Sequence, residues 1–415
     1  MTDWKKTTLG QVAQVFTGFP FKSNDYSEDP HDIKLLRGDN IAQGTLRWDD
    51  AKKWPKSEYE KYAQYQLKED DVVLAMDRPW IGAGLKYSSV RKEDLPSLLV
   101  QRTARLRGSA ELDIIYLKYI IASPWFSKYI QSINTGSLVP HISSKQIKDF
   151  PVNLPSVQQQ KRLSSVLAAI DNKIDINNRI NAELEAMAKT LYDYWFVQFD
   201  FPDTNGKPYK ASGGKMVYNA TLKREIPVGW NTSTLWNIAK YTNGLAMQKY
   251  REDSDVYLPV IKIREMNNGI SAETERARVD IPEAAVINDG DVLFSWSATL
   301  DVKIWSQGEG ALNQHIFKVS SDSYPKSFYY FELLNYLKHF KMIAELRKTT
   351  MGHITLDHLK QAYICLPPLF LLEEFNSKVH DIFQQHLLLE KENRSLIKLR
   401  DWLLPLLMNG QVTVK

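Results

Sequence analysis

A single cysteine, Cys365, is the chain's whole supply of thiol, so no internal disulfide can form. No apolar run approaches the ~20 residues that a membrane-spanning helix needs. The opening stretch MTDWKKTTLG also lacks the apolar centre of a signal peptide. These absences predict a cytoplasmic protein with no membrane partner. Charge of one sign is scarce too: 53 Lys+Arg stand against 49 Asp+Glu, a net of +4. Residues 1–155 carry 22 basic against 19 acidic side chains, and residues 227–367 carry 15 against 16. A body that grips DNA by itself through phosphate neutralisation would be strongly basic. If nucleic acid is a partner, local patches or other subunits must supply much of the charge. At 415 residues and 43% hydrophobic composition the chain is long enough for two or three domains.

What is present is a repeat. HISSKQIKDFPVNLP (141–155) returns 212 residues later as HITLDHLKQAYICLP (353–367), matching His141 with His353, Ile142 with Ile354, Lys148 with Lys360, Leu154 with Leu366 and Pro155 with Pro367. DWKKTTLGQVAQVFTG (3–18) aligns with GWNTSTLWNIAKYTNG (229–244) through Trp4/Trp230, Leu9/Leu235, Ala13/Ala239 and Gly18/Gly244. EDDVVLAM (69–76) reads like DGDVLFSW (289–296), each a short apolar strand entered through an acidic turn. VQRTARL (100–106) and NQHIFKV (313–319) share Gln101/Gln314. Between these segments spacing and sequence drift, so the frame is common and the loops differ.

A long helical pattern follows each Leu-Pro. Ser156 and Gln159 fit a capping box, and Pro368 suits the first helical position of the second copy. Apolar residues then step by four and three: Leu163, Leu167, Ile170, Ile174, then Asn177 and Asn181, then Leu184, Ala188, Leu191 and Trp195. The second series is Phe375, Val379, Ile382, His386, Leu389, Asn393, Leu396, Arg400, Leu403 and Leu407. This is a heptad seam broken by a polar layer and, in the second copy, by His386 and Arg400. Helices over 156–197 and from 368 to about 404 follow, with Pro405 kinking or ending the second and Asn409-Gly410 as a stop. The expected fold is α+β: two repeated α/β domains separated by two long helices pairing as an antiparallel coiled coil, pseudo-two-fold symmetric. Its segments are 1–155, helix 156–197, a Pro/Gly/Ser-rich linker over 198–226, 227–367 and helix 368–408.

Catalytic motifs do not emerge. A P-loop is absent, and IGAGLK (81–86) lacks the third glycine of a nucleotide fingerprint. An adenine methyltransferase would need an Asn/Asp-Pro-Pro-aromatic tetrapeptide, which DRPW (77–80), SPWF (123–126) and NLPS (153–156) all fail to supply. His141 and His353 have no second ligand at metal spacing. Cys365 faces Asn153 in the repeat and reads as a packed strand residue. No metal and no catalytic residue is expected, and the pattern reads as that of a binder.

The helices AAIDNKIDINNRINAELEAMAKTLYDYWFVQFDFP and LLLEKENRSLIKLRDWLLPLLMNGQV, with IPVGW (226–230) opening the second half, resemble those of the specificity subunit of prokaryotic type I restriction–modification enzymes. The resemblance covers essentially the whole chain. It implies two target-recognition domains, each reading one half of a bipartite double-stranded DNA site. It also implies helices that dock two methyltransferase subunits, to which restriction–translocation subunits add. S-adenosylmethionine, ATP and Mg would belong to those partners, leaving this chain a non-catalytic subunit without cofactor.

Base readers should lie where the repeats diverge, because two halves of an asymmetric site differ. Arg78, Trp80 and Lys86 in DRPWIGAGLK, and Ser297 and Thr299 in SWSATLDVK (295–303), are candidates, as are Gln101, Arg102, Gln314 and His315. Lys22, Lys249, Arg251, His141 and His353 suit phosphate contacts. Leu163, Leu167, Ile170, Ile174, Leu184, Leu191, Phe375, Val379, Ile382, Leu389, Leu396 and Leu403 are the candidate helix interface. Two other readings share the pattern: a stand-alone bipartite DNA-binding regulator, and a coiled-coil protein adaptor.

Overall fold

The computed structural model describes residues 4–81, 84–133, 140–346 and 353–414. The chain divides into two compact units, residues 1–173 with 396–415, and residues 174–395.

In the first unit Lys5–Thr8 pairs antiparallel with Pro151–Leu154, in the register Lys5↔Leu154. Val152 and Leu154 are buried while Pro151 and Asn153 face out, the period of two expected of a half-covered strand. An antiparallel four-stranded sheet follows, in the order Gln14–Thr17, Thr103–Arg107, Val72–Ala75, Tyr87–Ser89. Val72–Ala75 is buried throughout because both its faces are covered. Val72 and Leu74 join the core beneath helix Ile114–Ala122, whereas Val73 and Ala75 join a separate cluster with Leu36, Leu67 and Leu99. A smaller sheet sets Ile33–Leu36 parallel to Ser97–Leu99 and antiparallel to Lys53–Trp54.

The second unit repeats this plan. Asn231–Thr234 pairs with Tyr363–Leu366 in the register Asn231↔Leu366. Its four-stranded sheet runs Lys240–Asn243, Ile316–Ser320, Val292–Ser295, Asp301–Ile304. Its smaller sheet sets Leu258–Ile261 parallel to Gly310–Leu312. The repeated glycines have a shared reason: a Cβ on Gly18 would lie 2.1 Å from the Val100 carbonyl oxygen, and one on Gly244 would lie 2.2 Å from that of Leu312. Only glycine lets the backbone pass that close.

The HI…LP segment has the same four parts in each unit. Ile142 and Ile354 are buried plugs, at 0% and 2% exposure. Ser143 and Gln146 then cap a short helix reciprocally, Ser143 N donating to Gln146 Oε1 at 2.8 Å. In the second copy Thr355 N donates to His358 Nδ1 at 2.9 Å. The closing strand follows, and Leu-Pro turns the chain into the long helix.

The long helices are Val157–Tyr192, continued by a π-turn Asp193–Val197, and Leu369–Met408. The expected Ser156/Gln159 capping box is present. Pro368 sits one step earlier than expected, its carbonyl accepting the first helical bonds from Leu371 and Leu372. Pro405 does not end the second helix at 404. A proline removes one N–H bond, and here the helix carries on to Met408 before Gly410, at φ +74°, stops it.

Within each unit the two helices pack antiparallel. In the first, Leu163 and Leu167 share a core with Leu404, Leu407 and Met408, and Leu403 packs partly buried against it. Arg400 reaches Asp171 Oδ1 at 3.3 Å, and Asp171 also accepts from Lys118 and the Tyr119 hydroxyl at 2.8 Å each. Burial opposes ionisation of Asp171, yet these partners outweigh it and hold the carboxyl below its ordinary value. In the second unit the polar layer is buried: Asn177 Nδ2 donates to Asn393 Oδ1 at 2.9 Å, Asn393 Nδ2 to Asn178 Oδ1 at 2.9 Å, and Asn181 Nδ2 to Glu390 at 2.8 Å. His386 meets Glu185 at 2.9 Å. The two polar interruptions of the seam are thus answered by carboxylates across the helix pair. Ile170, Ile174, Phe375, Val379 and Leu389 are buried, while Leu184, Leu191, Ile382 and Leu396 are half-buried.

Tyr192, at the end of the first long helix, donates its hydroxyl to the buried Glu332 on helix Lys326–Leu346. Burial pushes the Glu332 carboxyl up to about 7. An ordinary glutamate releases its proton near 4.5, so between those values the folded unit binds more protons than the unfolded chain. Its stability therefore falls as pH rises through that window. Glu332→Gln, a neutral group of the same shape, should flatten this dependence and add on the order of 3 kcal/mol at pH 8. Unfolding midpoints measured from pH 5 to 8 check it, and an unchanged slope would count against the assignment.

Candidate nucleic-acid interface

The residue after each central strand anchors one constellation, built the same way twice. In the first unit Met76 N donates to Arg102 O and Ile142 N to Met76 O, both at 2.9 Å. In the second, Trp296 N donates to His315 O at 3.3 Å and Ile354 N to Trp296 O at 2.8 Å. The next residue bridges the repeated histidine: Asp77 with His141, and Ser297 with His353. The residue after that is left-handed in both units, Arg78 at φ +43° and Ala298 at +55°. Such a conformation costs a non-glycine residue on the order of 1–3 kcal/mol, and that kind of strain gathers at functional sites. Arg102 is left-handed as well, at +63°.

The frame is shared, and the side chains on it are not. Asp77 Oδ1 accepts from His141 Nδ1 at 2.5 Å and from Arg102 at 3.2 Å. Lys86 lies near Arg78, Arg47, Asp39 and Asp77. Burial lowers its ammonium pKa, with the two arginines lowering it further and the two aspartates opposing. His141 and Arg102 thus meet on the Asp77 carboxylate, with Lys86 nearby between Asp77 and Asp39. In the second unit Ser297, Ala298, His315 and His353 stand at the positions of Asp77, Arg78, Arg102 and His141, and Asp301 stands at that of Lys86. There the His315 ring lies 5.7 Å from that of Trp296, whose indole N–H donates to Asn243 Oδ1 at 3.1 Å. Gln314 Oε1 accepts from Asn313 at 3.0 Å.

The sequence candidates differ in where the structure places them. Ser297 is only 7% exposed, which leaves little of the residue open to a groove. Thr299 is the exposed hydroxyl of that loop, and its carbonyl is tied to Ser295 Oγ at 2.7 Å. Trp80 is half-buried against the core of the first unit, which makes it a support for the loop. Its hairpin partner is Leu85, and Gly82 and Ala83 between them lie outside the described residues. Lys249 and Arg251 are exposed, Lys249 on the short 3-10 helix Met247–Tyr250 and Arg251 just after it, where it bridges Ala277 and pairs with Asp253 at 3.4 Å. Lys22 is exposed just before the turn Ser23–Asp25, and Gln101 is exposed beside Arg102. Asp77 and Trp296, which stand on the same frame, are not among the sequence candidates. The alignment of EDDVVLAM with DGDVLFSW held the signal, since both lie at or just past its end. Cys365 is a packed strand residue at 6% exposure, and burial pushes its thiol up to about 12. No described helix is long and apolar enough to cross a membrane.

Two copies of one α+β domain, each carrying a polar cluster on a common backbone frame and each built against paired long helices, define a duplicated scaffold of the kind used for recognition. The family model for the type I restriction modification DNA specificity domain matches residues 1–186 and 227–398, and the chain belongs to that family, as a specificity subunit of type I restriction–modification systems. The MjaIX specificity subunit of Methanocaldococcus jannaschii is 27% identical over 310 residues, covering 72% of this chain and 69% of that one. The HindI specificity subunit of Haemophilus influenzae is 22% identical over 478 residues, 99% of this chain and 100% of the relative. The crystal structure of the S subunit of a type I system from M. genitalium shares the fold, with a TM-score of 0.54 at 14% identity over 98% of this chain and 96% of that one.

Proposed function

We propose that each unit reads one half of a bipartite, asymmetric double-stranded DNA site, and that the long helices dock two methyltransferase subunits, to which restriction–translocation subunits add. The observation that carries this reading is the duplicated frame with divergent side chains. Identical halves would call for identical readers, and here the side chains on the shared frame differ: Asp77, Arg78, Lys86 and Arg102 in one unit, Ser297, Ala298, Asp301 and His315 in the other. Exposed apolar residues on the helices support the docking. Ile176 and Met187 on the first helix are 50% and 59% exposed, and Leu388 and Leu399, their counterparts 212 residues on, are 59% and 42% exposed. A repeated apolar surface suits two copies of one partner. S-adenosylmethionine, ATP and Mg belong to the partner subunits, and the chain itself is a non-catalytic, cytoplasmic component.

The purified chain should therefore show no methyl transfer, ATPase or nuclease turnover. Produced together with its methyltransferase, it should direct methylation to one bipartite sequence, mapped by methylome sequencing. A stand-alone regulator would instead bind its site tightly without partner and with a steep salt dependence. An adaptor would direct no methylation at all.

A further inference from the structure

We propose that Asp77 is a specificity-determining residue: its carboxylate accepts a hydrogen bond from the exocyclic amine of a cytosine or adenine in the half-site read by the first unit. The proposal rests on the bipartite reading above and assigns one chemical contact within it.

A carboxylate beside DNA is repelled by phosphates unless cations flank it. Asp77 is contacted by His141 at 2.5 Å and Arg102 at 3.2 Å, and Lys86 lies close by, itself near Arg78, Arg47 and a second carboxylate, Asp39. Both direct contacts fall on Oδ1. They fix the carboxylate's orientation and leave Oδ2 outside either bond, on a side chain 32% exposed. Backbone geometry holds the position twice over, through the bridge to His141 and through the left-handed turn at Arg78.

An ionised carboxylate only accepts hydrogen bonds. In the major groove cytosine presents its N4 amine and adenine its N6 amine, whereas guanine and thymine present carbonyl oxygens at those places. Asp77 therefore favours a base carrying an amine at one position and rejects one carrying a carbonyl. The second unit has Ser297 at the same backbone position. A hydroxyl both donates and accepts, so the second half-site carries no matching demand for an amine from this position. The difference explains how one frame serves two unlike sequences.

The test uses the chain assembled with its methyltransferase. Asp77→Ser places there the residue that the other unit already accommodates on the same bridge, so the fold is kept. Methylome sequencing should show one position of the first half-site relaxing from an amine-bearing base to any base, with the second half-site and the gap unchanged. In parallel, binding is measured to site DNA in which each non-methylated adenine or cytosine of that half is replaced in turn by purine or 2-pyrimidinone, which lack the amine. The wild-type complex should lose roughly tenfold at one position, about 1.4 kcal/mol, and the variant should lose nothing further there. This second arm also decides the matter if the variant complex methylates poorly. An unchanged motif, or an equal loss on amine removal in both complexes, would overturn the assignment of Asp77. It would leave the bipartite reading standing, because that reading predicts only that the two halves change separately.

Discussion

Phe375→Asp should leave the second unit unable to fold. Phe375 is fully buried near the start of the second long helix, with its ring 5.0 Å from Phe196, 5.7 Å from both Tyr192 and Trp195, and 6.3 Å from Phe331. That one ring joins the end of the first long helix to the start of the second and to the helix Lys326–Leu346. Truncating such a residue to alanine removes about 3–5 kcal/mol through lost transfer energy and the cavity left behind. Aspartate adds a stranded charge with no cation among those rings, a further cost of several kcal/mol. Together these approach the 5–15 kcal/mol that holds a domain folded. The expected outcome is insoluble protein, or a chain whose second unit lacks a cooperative thermal transition. Phe375→Leu, close in volume, should retain the transition with a midpoint lowered by a few degrees. A soluble Phe375→Asp chain with the wild-type midpoint would place this ring outside the core.

Most of the frame was legible because it repeats. Leu9, Leu235, Ile142 and Ile354 stand at equivalent positions and are all buried, and Gly18 and Gly244 recur because a carbonyl oxygen presses on each. The helix seam was legible through its period, and so was its polar layer at Asn177, Asn181 and Asn393. What stayed hidden depends on contacts remote in sequence. The parallel pairing of Ile33–Leu36 with Ser97–Leu99 joins two short apolar runs that no local pattern links. The left-handed turn at Arg78 is invisible because neither arginine nor its neighbours favour that conformation. Asp77 reads as an ordinary turn acid until His141, 64 residues away, is brought against it. Ser297 is similar: its low exposure and its bridge to His353, 56 residues on, are not visible in the local sequence.

The second large effect concerns the claim that each repeat reads its own half of the target. Replacing residues 1–155 by the corresponding segment of another specificity subunit keeps the junction at Pro155, before the capped helix start at Ser156. The exchange brings in a complete closing strand, paired with its own first strand as Lys5–Thr8 is with Pro151–Leu154, so the sheets of the incoming domain are not divided. Every candidate reader of the first unit, Asp77, Arg78, Lys86, Gln101, Arg102 and His141, leaves with the exchanged piece, and Thr299, Gln314, His315 and His353 all stay. Sequence discrimination comes from such base-edge contacts, at about 1–3 kcal/mol each. Replacing the whole set should therefore rewrite one half-site completely. The decisive measurement is the methylated sequence in cells that produce this hybrid with the methyltransferase. The account predicts a new first half joined to the original second half. A motif in which both halves change together, or in which neither does, would contradict it.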